Sequence, residues 1–84
     1  MKTTKRKVLK YSVLFQPAEE GGFIASVPAL PGCATQGETF EEAQEMIKDA
    51  ISGYLAVLKD NKQEIPEEKE DLMITKVTIP HGFI

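Results

Sequence analysis

The sequence predicts an α+β domain: a three-stranded antiparallel meander, one long amphipathic helix and one further strand, in the order β-β-β-α-β. Three observations predict it. Two stretches near the start alternate apolar and polar residues and are separated by Pro, Glu and Gly. A later stretch repeats apolar residues at i, i+3, i+4 and i+7 over about four turns. A β-branched run then follows an acidic, Pro-containing segment.

Taken in order, residues 1–6 are expected to form a flexible basic arm. Residues 6–16, RKVLKYSVLFQ, place Leu9, Tyr11, Val13 and Phe15 on one face and Lys10, Ser12 and Gln16 on the other. This period of two, carried by β-forming residues, predicts a strand half-buried on one side. Pro17 ends it, and QPAEEGG has the composition of a hairpin loop. Residues 23–27, FIASV, resume the alternation as a second, antiparallel strand. Pro28 and Pro31 interrupt it, because neither can donate to a ladder; they belong at a sheet edge or a bend. Pro31–Gly32 is the pair of a type II turn, whose third residue needs positive φ. CATQG, 33–37, is then a short third strand, too close in sequence to the second for a helical crossover and so antiparallel to it.

The helix has the clearest start. Thr39 with Glu42 makes a capping box, and Glu41, Glu42 and Glu45 crowd the first turns, where the helix dipole favours anions. Ala43, Met46, Ile47, Ala50, Ile51, Tyr54, Leu55 and Leu58 form one apolar stripe. Gly53 lies within the helix at a cost of about 1 kcal/mol against Ala, and its missing side chain would let a strand or partner approach closely. Residues 60–71, DNKQEIPEEKED, break every period and read as a solvated acidic linker. LMITKVTI, 72–79, is the final strand, with Met73, Thr75, Val77 and Ile79 on one face and Leu72 and Ile74 on the other.

Length and charge bound the function. The 84 residues make one domain, 1–84, whose small core favours a homodimer or higher homo-oligomer. No apolar run approaches the roughly 20 residues needed to span a bilayer, and no secretory pattern opens the chain, so a cytoplasmic protein is expected. The net charge of −3 is uneven: the first ten residues carry five basic side chains and no acid, leaving the rest with five basic and 13 acidic, a net of −8. Such an acidic body suits a basic partner and repels phosphate.

Residue chemistry offers no catalytic, metal or cofactor site. One Cys and one His can form neither a disulfide nor a structural zinc centre. Cys33 has only His81 as a possible base, and free Cys serves more often as a small buried residue. The first strand holds no acid with which a metal-dependent nuclease would bind its ion. Gly32 and Gly37 flank a strand and match no phosphate-binding loop. A binding module remains. Its candidate contacts are the hairpin tip (Glu19, Glu20), the Pro28 and Pro31 edge and the acidic start of the helix (Glu41, Glu45). The alternative is a small oligomeric nucleic-acid-associated regulator using Lys5, Arg6 and Lys7.

Residues 11–55, and VPALPGCATQGETFEEA within them above all, resemble the HicB-like antitoxins (the UPF0150 group). The shared features are a hydrophobic strand, a Pro-acid-Gly-Gly hairpin followed by an aromatic, the PALPG corner, a Gly-x-Thr helix start and an amphipathic helix. The resemblance implies a partial RNase-H-like fold without nuclease activity. It also implies a partner: a HicA-like toxin, a small basic mRNA interferase whose catalytic His the antitoxin masks. Many HicB proteins carry a further DNA-binding segment. No such segment is read here after the last strand, so operator binding is not expected.

Overall fold

The computed structural model describes residues 8–82. Four elements follow one another: β1 (Leu14–Pro17), β2 (Phe23–Ser26), β3 (Ala34–Gly37) and α1 (Phe40–Asp60). The strands form one antiparallel sheet in the order β1-β2-β3. Phe15 stands opposite Ala25, and Ala25 opposite Thr35. The α+β meander and helix therefore agree with the sequence.

The β2–β3 corner is built from two consecutive turns that share Leu30. The Leu30 amide donates to the Val27 carbonyl at 3.0 Å, and the Cys33 amide to the Leu30 carbonyl at 2.9 Å. Gly32 has φ +81°, as the third residue of a type II turn requires. Pro28 and Pro31 stay exposed while Leu30, between them, is fully buried. Leu30 joins Ala25, Val27, Cys33, Ala43 and Ile47 in the core, with Tyr11, Val13, Phe15 and Tyr54 partly buried around it.

The helix caps as its sequence demands. Thr39 Oγ1 accepts from the Glu42 amide at 3.0 Å, and Glu42 Oε1 reaches back to the Glu38 amide at 2.9 Å, one residue before the N-cap. At the other end the Gln63 amide bonds the Leu58 carbonyl and the Lys62 amide bonds the Lys59 carbonyl. This pairing is a Schellman motif, and it places Lys62, at φ +55°, where glycine is usual. The helix lies mainly over β3 and β2, which leaves β1 the less covered strand. Phe40, at the helix start, spans the gap by packing on Phe15 at 4.6 Å and on the edge of Phe23 at 6.1 Å. Tyr54 donates to the Pro31 carbonyl at 2.8 Å and ties the helix to the corner.

Four expectations change. Among the described residues the first strand is shorter than the expected 6–16, because the Val27 amide, opposite Val13, turns to the Cys33 carbonyl and Pro28, opposite Ser12, has no amide to offer. The final strand is not formed among the described residues: 72–79 pairs with no strand, and every residue from 69 to 82 is exposed. Strand-forming side chains need a ladder partner, and this segment has none within the described chain. The acidic linker is not wholly solvated. The Tyr11 hydroxyl donates to the Pro66 carbonyl, and the Ser12 hydroxyl and amide both donate to the Glu68 carboxylate. Finally, Gly53 faces open space, so no strand of the described chain approaches it.

Candidate partner interface

The first candidate contacts lie at the hairpin tip. The β1–β2 loop closes with the Gly21 amide on the Ala18 carbonyl at 3.1 Å and the Ala18 amide on the Gly22 carbonyl at 2.9 Å. Glu19 and Glu20 ride this turn, both exposed. The tip is pressed against the end of β3. A Cβ on Gly22 would lie 2.3 Å from the Gly37 carbonyl oxygen, and a Cβ on Gly37 would lie 2.4 Å from the Ala43 amide. Such distances exclude any side chain, so hairpin, strand end and helix start meet backbone to backbone.

That convergence opens a cleft of about 530 Å³ lined by Glu20, Gln36, Glu38, Glu42 and Met46. Its carboxylates come from three elements: Glu20 from the hairpin, Glu38 from the link after β3 and Glu42 from the first turn of α1. Glu42 is fixed by its own capping bonds. Glu41 and Glu45 lie exposed on the same helix start, outside the cleft lining. The structure thus gathers acids at one end of the sheet.

Pro28 and Pro31 belong to the other end. The antiparallel register puts Phe23 and Gly37 beside the hairpin and Ser26 and Ala34 beside the proline corner. The six sequence-derived contacts therefore divide into an acidic end (Glu19, Glu20, Glu41, Glu45) and an apolar end (Pro28, Pro31). Glu38 and Glu42 were missed as surface acids because a strand end and a cap account for them locally. The hairpin register would have found them, since it carries residues 20–22 onto 37 and 38. Lys5, Arg6 and Lys7, and the arm 1–6, lie outside the described residues.

The thiol and the imidazole are not brought together. Cys33 is buried in the core, and burial pushes its thiol pKa up, the opposite of what a nucleophile needs. His81 is exposed in the chain beyond the helix. Among the described residues no group of three or more His, Cys, Asp or Glu could hold a metal ion, and no helix is long and apolar enough to cross a membrane.

Residues 11–78 match the family model of the HicB-like antitoxin of bacterial toxin–antitoxin systems. A UPF0150 protein of Synechocystis is 39% identical over 79 residues, which cover 94% of this chain and 98% of that protein. A UPF0150 protein of Thermoplasma acidophilum is 43% identical over 63 residues, 75% of this chain and 91% of the relative. Antitoxin HicB of Escherichia coli is 46% identical over 58 residues, 69% of this chain but only 42% of that longer antitoxin. The matched span begins at Tyr11, on the strand side of the core, and runs through the sheet, the corner and the helix. This chain belongs to the HicB-like antitoxin family.

Proposed function

We propose that this protein is the antitoxin of a toxin–antitoxin pair and that it neutralises a HicA-type mRNA interferase by covering its active site. The observation that carries the reading is the family match across residues 11–78. The charge supports it: a body of net −8 attracts a small basic toxin and repels the RNA that the toxin would cut. The acidic end, with Glu20, Glu38 and Glu42 around the cleft and Glu41 and Glu45 beside it, is the surface offered to the toxin. The protein acts as a binding module in the cytoplasm, as a single domain over 1–84, with no chemistry of its own. Its sheet is the core of a partial RNase-H-like fold that a fourth strand from 72–79 completes.

Co-expression tests the reading. Induction of a HicA-type toxin from a neighbouring open reading frame is expected to arrest growth, and simultaneous expression of the chain is expected to restore it. The triple variant Glu20→Lys, Glu41→Lys, Glu45→Lys keeps its fold, because all three side chains are exposed, and loses the rescue. If arrest persists with the unaltered chain present in excess, the antitoxin reading is wrong.

A further inference from the structure

We infer that 72–79 is an exchanged strand: two copies of this chain form a homodimer in which each lays its segment along the β1 edge of the other. The inference rests on the geometry below, independently of the antitoxin reading. Three observations carry it.

The first is the tail itself. Met73 is 92% exposed, Val77 74% and Ile79 71%. Period-two spacing sets these three on one face of an extended strand. A soluble chain seldom leaves so long a β-forming apolar run in water.

The second is the vacancy that fits it. Because α1 lies over β3 and β2, the edge beside β1 holds a largely apolar groove of about 380 Å³ lined by Tyr11, Val13, Phe15, Ile47 and Ile51, with Gln44 and Lys48 as its polar members. β1 is also an edge strand, with no ladder neighbour on its outer side among the described residues. A strand laid there completes the ladder and covers the groove in one step.

The third is reach and direction. The chain is fastened beside the start of β1 by Tyr11 on Pro66 and Ser12 on Glu68, and then leaves the body. Residues 69–82 can span up to about 45 Å when extended. The Cα radius of gyration is 17.0 Å, against about 12 Å for a compact domain of this length, and the long dimension is 69 Å. The tail therefore projects well beyond its own groove. One chain carries both the strand and the groove, so a twofold arrangement satisfies both copies at once and closes. A foreign partner seated in the groove would leave the tail bare.

The test uses the isolated full chain without toxin, so its outcome is separate from that of the antitoxin assay. Light scattering after size exclusion is expected to give twice the 9.3 kDa chain mass. Met73→Lys with Val77→Lys is expected to halve that mass and to preserve the helical part of the far-ultraviolet circular dichroism, since neither side chain is packed in the single chain. In a mixture of labelled and unlabelled chains, isotope-filtered spectra are expected to show contacts between the Val77 and Ile79 methyls of one copy and the Tyr11 and Phe15 rings of the other. A monomeric wild type, a dimer whose mass the double variant leaves intact, or contacts confined within one chain would each overturn the inference.

Discussion

At Leu30 two reverse turns share one residue, and that sharing drives a leucine inward between two exposed prolines. Among the described residues the core holds five other buried hydrophobic side chains, all smaller except Ile47, so this position has no substitute there. Leu30→Ala is expected to cost about 3 kcal/mol, read as a fall in the urea midpoint. Lys62 is strained in the opposite sense. It holds a left-handed conformation at the helix C-terminus, and Lys62→Gly is expected to raise stability by up to about 1 kcal/mol in the same measurement. Residues at this scale differ in how legible they were. Gly32 and the Thr39–Glu42 cap could be read from the sequence, because turn and cap chemistry are local. Leu30 could not, since nothing in PALPG says which side of the corner faces the core.

At the scale of elements, the meander and the helix were legible because each has its own periodicity and punctuation. Pairing was not, because it depends on an edge elsewhere. Residues 8–13 alternate well yet lie outside β1, since Pro28 removes the amide that would have extended the ladder. Residues 72–79 alternate equally well and pair with no strand among the described residues. The strap that joins the linker to the sheet was hidden for the same reason: Glu68 looked like one acid in a solvated run. The Ser12 hydroxyl, and then the Ser12 amide, hold the Glu68 carboxyl below the usual glutamate range. A lowered carboxylate pKa means the unfolded chain binds the proton more readily, so the strap's contribution is fully present above the ordinary glutamate range and is lost as pH falls through the lowered value. Thermal unfolding of wild type and Glu68→Gln is expected to differ at neutral pH and to converge as the solution is acidified to about pH 3.

For the molecule as a whole, the decisive features are charge and shape. Composition made the charge readable: a basic arm on an acidic body. Its placement needed the fold, which brings Glu20, Glu38 and Glu42 to one cleft and sends Pro28 and Pro31 to the far end. Association with a basic toxin is accordingly expected to slow as salt rises, with most of the change in the on-rate, and stopped-flow binding at graded ionic strength measures it. The elongated outline, in turn, comes from a strand-forming tail that the described sheet does not absorb. The most direct test of the antitoxin proposal is RNA cleavage by a purified HicA-type toxin, titrated with this protein. The account predicts that cleavage ceases near stoichiometric addition and returns when the Glu20, Glu41 and Glu45 charges are reversed. Cleavage that continues unchanged under a large excess of the unaltered protein would contradict it.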